Sequence, residues 1–515
     1  MTTAPPRPSL PVPGRRAGSS SPARPRGRST GPVLAVMGHA RLLAGLDGLR
    51  RSDRVAHLSV HGDCPRLRLD EVVALAENIS LRGRGGAGFP FARKMTSVAE
   101  AANRRGLPTA VVVNGSEGEP GCLKDKALLR HAPHLVIDGA VLAAEALGAQ
   151  EVVLGVTHPE VYSSVRDAIA ELPPGRMPVR VQRLTERFVT GESSSMTRGL
   201  NGGPTLPSGQ RIRTSEIGLH GLPTLFSNTE TYAQLAVAAR LGALGYREVG
   251  TPREPGTVLL SIAGACVMEA PAGAPLIDVL RLVGLDVGQG VLIGGYHGKW
   301  LSPSTALYAE LSRENLERHG ATLGAGAILP LPAAGCPLGE VVRVARWMAD
   351  ESAGQCGPCL FGLPSLADAL DAVWRGGGSA ALDAVRTRMA AVRKRGACGH
   401  PDGTAGFVAS ALDAFPGEFA DHALGIGCGR PVMGTLPLPP GPGAIAVAEH
   451  EGPKLHVDWT LCQGHGLCAD VLPGVVELGP DGFPANATMA VPPEARAMAI
   501  RAVRRCPALA MRVTD

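Results

Sequence analysis

Six of the eleven cysteines fall into two sets with ligand-like spacing, Cys356, Cys359 and Cys398 in one and Cys462, Cys468 and Cys506 in the other. Each set requires separate stretches of chain to bring their thiols together, which restricts how the C-terminal half can fold. An odd number of cysteines spread unevenly over 515 residues does not make a disulfide framework and fits a reducing cytoplasm better than secretion. Cys64, Cys122, Cys266, Cys336 and Cys428 are scattered and read as small buried hydrophobes. A chain of this length is expected to divide into two to four domains.

The net charge of +5 is misleading, because residues 1–30 carry six Arg and no acidic residue. The remainder is close to neutral, so no basic stripe for nucleic acid is indicated. Residues 1–32 read as a disordered tail. Arg15-Arg16 is followed by Ala-Gly-Ser-Ser-Ser-Pro, which does not make a secretory or twin-arginine signal. The most apolar stretch, from His134 to Val156, is interrupted by Asp138, Glu145 and Glu151, so no membrane span is expected.

A helix-like run over 70–81 leads directly into the glycine-rich segment Arg82-Gly-Arg-Gly-Gly-Ala-Gly-Phe-Pro. Strand-like Thr109–Val113, helix-like His134–Gly148 and strand-like Glu151–Val156 follow, the order of a βαβ unit and hence of a parallel sheet. Thr257–Ile262, Pro275–Val283 and Gly290–Ile293 suggest a smaller α+β module. Beyond Pro337, runs at Val341–Met348, Leu363–Trp374, Ala380–Lys394 and Phe407–Phe415 predict a helical bundle. Pro437-Leu-Pro-Pro-Gly-Pro-Gly reads as a stiff linker.

Gly83, Gly85 and Gly88 satisfy a G-x-G-x-x-G pattern, but a helix precedes them and Phe89-Pro90 follows, the reverse of a dinucleotide-binding fingerprint. What remains is a loop rich in backbone N–H donors beside Arg82, Arg84, Arg93 and Lys94, able to approach a phosphate. The segment from Asn114 to Lys126 lies just past the C-terminal end of a predicted strand, where open α/β sheets bind ligands. Asn114 can donate and accept there, and Glu117 and Glu119 can accept from hydroxyls.

These two loops, with Thr190-Gly-Glu-Ser, Pro223-Thr-Leu-Phe-Ser-Asn-Thr-Glu-Thr and Glu351-Ser-Ala-Gly-Gln-Cys-Gly-Pro-Cys, resemble in content and order the flavin-binding, NADH-oxidising (51 kDa-type) subunit of respiratory complex I and of related hydrogenases and formate dehydrogenases. The resemblance spans about 60–420. It implies an α/β fold with an FMN- and NADH-binding parallel-sheet domain over 33–250, an SLBB-type β-grasp module over 251–335 and a helical-bundle iron–sulfur domain over 336–425. Gly83, Arg84, Gly85, Gly86, Lys94, Asn114, Asn228 and Thr231 would hold FMN, with Phe89, Glu117, Glu119 and Glu192 near the nicotinamide nucleotide. Ser116 takes the place of the family's aspartate in the same loop, and Ser193 that of a glutamate. Of the phenylalanines that stack on adenine in the family only Phe89 has a match, Ser97 and Arg213 standing at the other positions.

The first cysteine of the family's cluster motif is Ala353 here. Cys356, Cys359 and Cys398 leave three ligands, for a [3Fe–4S] cluster, a [4Fe–4S] cluster completed by another group such as His400, or none. After a linker at 426–447, Cys462-Gln-Gly-His-Gly-Leu-Cys468 and Cys506-Pro507, with strands at Leu455–Asp458 and Ala510–Val513, resemble the small single-cluster ferredoxins that actinobacteria pair with haem monooxygenases. This implies a ferredoxin-like α+β domain over 448–515, with His465 at the position of a fourth ligand for a [3Fe–4S] or [4Fe–4S] cluster. The expected activity is transfer of electrons from NAD(H) through FMN into iron–sulfur clusters and the fused ferredoxin, for a redox partner that is a monooxygenase or an oxidoreductase subunit. The alternatives are an electron-transfer scaffold without flavin and a subunit of a larger complex.

Overall fold

Runs of Val, Leu and Ile long enough for a strand buried on both faces alternate with helical stretches through the first half of the chain, and they fold as a layered α/β body. The computed structural model describes residues 32–46, 50–175, 177–209, 212–439 and 452–514. The tail expected over 1–32, save its last residue, and the linker from 440 onward lie outside the described residues. From Pro32 onward the chain forms one compact unit.

The strands are β1 (Val33–Val36), β2 (Thr109–Gly115), β3 (Ala149–Val156), β4 (Val179–Arg183), β5 (Thr224–Asn228), β6 (Thr257–Ile262), β7 (Cys266–Pro271), β8 (Gly290–Ile293), β9 (Lys299–Leu301), β10 (Ala327–Leu331), β11 (Lys454–Val457), β12 (Thr488–Ala490) and β13 (Met511–Thr514). Four of them form a parallel sheet in the order β4-β3-β2-β5. Val111, Val112 and Val113 at its centre are fully buried, because helices cover both faces. Helix Pro133–Leu147 starts with Pro at its first turn and stops at Gly148, whose φ of 61° supplies the left-handed cap. It packs against helix Thr229–Arg247, so closely that a Cβ on Gly139 would lie 1.9 Å from the Tyr232 carbonyl oxygen. In this sheet Asn114 at the end of β2 is paired with Asn228 at the end of β5, which sets two amide side chains side by side at the carboxyl edge.

The second sheet is mixed, in the order β1-β7-β6-β10-β8-β9. Its edge strand β1 runs parallel to β7, so 33–36 joins the segment expected over 251–335 rather than the flavin unit expected to begin at 33. Buried Glu269 explains this return, since its carboxylate accepts from the backbone N–H groups of Arg41, Leu42 and Leu43 at 2.9–3.0 Å and from Thr257 Oγ1 at 2.7 Å. Those donors occupy its lone pairs and tie the N-terminal segment down.

Helices Pro337–Asp350, Leu363–Trp374, Gly378–Val392, His400–Ala414 and Pro416–Ala423 form the helical part, one helix more than the sequence periodicity marks. A π-turn at Pro358–Gly362 opens the second of them, a distortion common at functional sites. A last, antiparallel sheet, β12-β11-β13, carries helices Leu467–Val471 and Arg496–Arg505. Among the described residues no helix is long and apolar enough to cross a membrane.

The contact at Gly139 makes a direct test. Gly139→Ala is expected to destabilise the protein by about 1–3 kcal/mol and lower its thermal midpoint. Gly406→Ala, in a helix where the new Cβ meets nothing within 4 Å, is expected to leave the midpoint unchanged or raise it.

Candidate functional site

A cavity of about 380 Å³ opens at the carboxyl edge of the parallel sheet. The glycine loop forms one wall with Arg84, Gly85 and Gly86, and the loop after β2 forms another with Asn114, Ser116, Glu117 and Glu119. Glu192 and Asn228 complete this side. The glycine loop is closed by a bridge between Arg82 and Pro90 and by a bond from Gly83 N to Phe89 O of 2.9 Å. Glycine is needed at Gly86, where φ is 114°. At Gly85 a Cβ would press to 3.2 Å from Asn228 Cβ.

Four expected residues stand behind or beside this wall. Thr231 Oγ1 accepts from Arg84 N at 3.0 Å and fixes the loop from below. Lys94 Nζ donates to Phe226 O at 2.9 Å, and burial holds its pKa below the usual lysine range. The Gly83 carbonyl accepts from Arg313 Nη2 at 3.3 Å. Phe89 is exposed, with the Arg93 guanidinium 5.8 Å from its ring centre. Ser97 Oγ turns back to Arg93 O at 2.9 Å and Arg213 is exposed, and neither lines the cavity.

The polar groups of the wall are held in place and incompletely satisfied. Asn114 Nδ2 donates to Gly191 O at 2.8 Å, and Asn228 Nδ2 donates to Asp125 Oδ2 at 2.6 Å. Glu117 accepts from Asp125 N and Lys126 N at 3.0 Å each, so much of its acceptor capacity serves the start of helix Lys124–His131. Glu192 likewise caps helix Ser193–Leu200, accepting from Ser195 N at 2.9 Å. By contrast Arg84 Nε, Ser116 Oγ and Glu119 Oε1 are buried without a hydrogen-bond partner. Arg84 Nε has Glu230 Oε1 at 4.0 Å, so the hydroxyl of Ser116 and the carboxyl of Glu119 are the unpaired groups of the lining, and they fit a ligand that carries polar oxygen groups. Burial pushes the Glu119 carboxyl up to about 8, which keeps it protonated and able to donate at neutral pH.

Phe188, His297 and His400 also line the cavity, as does Cys398. Their rings lie 4.8–5.4 Å apart, centre to centre. His400 Nε2 donates to Met348 O at 2.8 Å, and its Nδ1 meets His297 Nε2 at 3.3 Å. Both ring nitrogens of His400, one of the groups that could complete a cluster at Cys356, Cys359 and Cys398, have these partners. Burial holds both rings neutral, with pKa values of about 3 for His297 and about 4 for His400.

The Cys356 and Cys359 thiols are hydrogen-bonded to each other. That bond, helped by the Ala397 N–H, lowers the Cys356 thiol to about 6 and raises Cys359, while burial raises Cys398 to about 12. Cys356 and Cys359 meet here, with Cys398 close enough to act on their charge, three thiols that could serve an iron–sulfur cluster with one iron lacking a cysteine. In the C-terminal part, Cys462, Cys468 and Cys506 line one small cavity together with His465. Ala397 packs against both cysteine neighbourhoods. Arg512 lies over the Phe361 ring at 4.5 Å, fixing the C-terminal sheet against the π-turn. Sequence reading did not single out Phe188, His297, Asp125 or Arg313; Asp125 lies within the Asn114–Lys126 segment and Phe188 just ahead of the Thr190-Gly-Glu-Ser motif, while His297 and Arg313 carried no local signal.

The chain matches the Nuo51 FMN-binding domain over 76–237, the NADH-ubiquinone oxidoreductase-F iron-sulfur binding region over 340–422 and a 4Fe-4S single cluster domain over 455–513. An NADH-quinone oxidoreductase subunit of Rhizobium meliloti (strain 1021) is 28% identical over 379 residues, 68% of this chain and 89% of that protein. The corresponding NADH-quinone oxidoreductase subunit of Streptomyces coelicolor is 28% identical over 383 residues, 70% of this chain and 84% of its own length. Among solved structures, NAD+-reducing [NiFe]-hydrogenase in the H2-reduced state superposes with a TM-score of 0.65 at 27% identity, covering 75% of this chain and 68% of that one.

Glu119 gives the site a pH signature. The folded protein keeps the Glu119 proton up to about pH 8, whereas the unfolded chain releases it near 4.5. The stability this contributes is complete below the lower value and is lost as pH rises through the upper one. The thermal midpoint of the ligand-free protein is expected to fall relative to that of Glu119→Gln as pH is raised from 5 to 9. A difference that does not change with pH contradicts the assignment.

Proposed function

We propose that the chain, which is similar to NADH-quinone oxidoreductase flavoprotein subunits and matches a single-cluster ferredoxin domain after that region, is a self-contained reductase, drawing electrons from a reduced nicotinamide nucleotide and delivering them at its own ferredoxin. FMN, when bound, supplies the conversion between hydride transfer and single-electron transfer. The observation that carries the reading is a shared wall: the cavity lined by Ser116 and Glu119, each with a buried oxygen lacking a hydrogen-bond partner, is also lined by Cys398, a member of the first cysteine set.

In this reading Arg84 and the N–H groups at Gly85 and Gly86 bind the phosphate, with Gly83, Lys94 and Thr231 bracing the loop. Asn114, Ser116 and Asn228 orient the rest of FMN. Glu119, protonated, donates toward the nicotinamide nucleotide, with Glu117 and Glu192 fixing the adjoining helix starts and Phe89 at the mouth. The rings of Phe188, His297 and His400 exclude water beside Cys398. Cys356, Cys359 and Cys398 would hold one cluster. Cys462, Cys468 and Cys506 would hold the second, with His465 in reach of the iron that lacks a thiolate. The architecture divides accordingly into a flavin domain to about 250, an SLBB-type β-grasp module over 251–335 that also takes in β1, a helical cluster domain over 336–425 and a ferredoxin domain over 448–515.

The acceptor is a redox protein, a monooxygenase or another oxidoreductase subunit, and eleven cysteines, odd in number and unevenly spread, favour the cytoplasm as its setting. The scaffold alternative draws on Ala353, Ser116 and Ser193; the polar cavity, which a packed scaffold would have filled, favours the enzyme.

Purified, reconstituted protein is expected to show a flavin band at about 450 nm that bleaches with NADH under anaerobic conditions. Arg84→Ala is expected to weaken FMN binding by about ten-fold or more, the loss of a charged hydrogen bond, while both iron contents stay unchanged. Protein that retains iron and refuses flavin leaves only the scaffold.

A further inference from the structure

Away from the cavity, Cys336, Glu418, His422 and Cys428 each bring one ligand atom within 4.8 Å of the other three. We propose that these four side chains form a structural zinc site that clasps the exit of the helical domain. None of them belongs to either iron–sulfur set.

The donor chemistry suits zinc. Two sulfurs, one imidazole nitrogen and one carboxylate oxygen are ligands of closed tetrahedral sites. Cys336 Sγ lies 3.4 Å from His422 Nε2, and bond lengths to zinc place tetrahedral sulfur and nitrogen ligands about 3.5 Å apart. The outer contacts are already set. His422 Nδ1 faces Trp374 O at 3.4 Å, the partner that leaves the Nε2 lone pair for a metal. Glu418 Oε1 is paired with Arg430, while its Oε2 is buried without any partner. That second oxygen is an acceptor waiting for a cation. Two thiolates, one carboxylate, the Arg430 guanidinium and a divalent ion sum to zero charge, so the buried site carries no uncompensated charge.

The local fold explains the convergence. Cys336 caps helix Pro337–Asp350, its sulfur accepting from Gly339 N at 3.3 Å. Glu418 and His422 lie one turn apart on helix Pro416–Ala423, hence on one face. Cys428 follows that helix in an irregular segment with Gly425, Gly427 and Gly429 all at positive φ. The segment is returned to Cys336 by a bond from Cys336 N to Pro431 O of 2.9 Å and by Arg430 Nε donating to Gly335 O at 3.2 Å. From here the chain leaves for the ferredoxin domain. A metal would pin that departure to the start of the bundle.

The test is elemental analysis of the full-length protein with its clusters and flavin in place. About one zinc per chain is expected, lost in Cys428→Ser and in His422→Gln with flavin and iron unchanged. Arg430→Ala, which keeps all four ligands, is expected to weaken zinc binding by about 10–100-fold. Cys462→Ser is expected to lower iron and leave zinc in place. Should the ligand variants fold poorly, exchange of the wild-type protein's metal for cobalt decides, since tetrahedral thiolate-bound cobalt has a distinctive spectrum. Absence of zinc, zinc that stays in Cys428→Ser, a Cys336–Cys428 disulfide in the native protein or an octahedral cobalt spectrum overturns the proposal.

Discussion

The Lys124 ammonium holds the two larger sheets in one body. It is buried, with Asp125 Oδ1 at 3.0 Å and Glu230 Oε2 at 2.9 Å. Burial works against its charge, and the two carboxylates more than offset this, raising its pKa above the usual lysine range. Glu230 sits in the first turn of helix Thr229–Arg247 and also accepts from Leu259 N of β6 at 3.1 Å. Gln234, one turn on, donates to Thr257 O at 2.7 Å and receives the Tyr246 hydroxyl at 2.7 Å. A single polar chain thus runs from the parallel sheet to the mixed one. Removing one charge from such a buried group typically costs about 3–5 kcal/mol, because the remaining ions cannot be rehydrated.

The same network fixes the cavity. Asp125 receives Asn228 Nδ2, and Asn228 Oδ1 caps the Glu230 N–H at 2.9 Å. Asn228 is paired in register with Asn114, and the glycine loop rests on Asn228 and Thr231. Side chains that face a ligand are therefore positioned by bonds made on the far side of the wall, and little rearrangement is required when a ligand enters. Ser116 Oγ and Glu119 Oε1 are left without a hydrogen-bond partner, whereas Arg84 Nε has Glu230 Oε1 at 4.0 Å.

Local pattern made much of this visible in the sequence. Thr257–Ile262, Gly290–Ile293 and Leu363–Trp374 follow directly from their apolar periodicity, with the same bounds in the structure. Rejecting a dinucleotide fingerprint at Gly83, Gly85 and Gly88 needed only the helix before it, observed at Leu69–Asn78. Contacts that depend on tertiary return were hidden. Nothing in Val33–Val36 says that it pairs with Cys266–Pro271, because the tie is a buried glutamate, Glu269, far along the chain. Arg313 approaches the glycine loop from the other sheet system, and Cys336 meets Cys428 only after the bundle has closed. Reading those two cysteines as ordinary buried residues follows from single-residue statistics, which carry no information about who comes back to whom.

The C-terminal sheet meets the rest of the chain at a boundary of mixed character. Its contact with the body includes Arg512 over Phe361 and Ala397 wedged between the two cysteine neighbourhoods, yet cavities of about 320 and 150 Å³ remain along the same boundary. An interface packed to core density would make the ferredoxin a permanent part of the bundle. The direct ties are close all the same: Arg198 is hydrogen-bonded to Asn486, and a Cβ on Gly209 would lie 2.3 Å from the Trp459 ring. Ala397, packed against both cysteine neighbourhoods, sets the second set next to the first, and that adjacency is what the proposed passage of single electrons from one to the other requires.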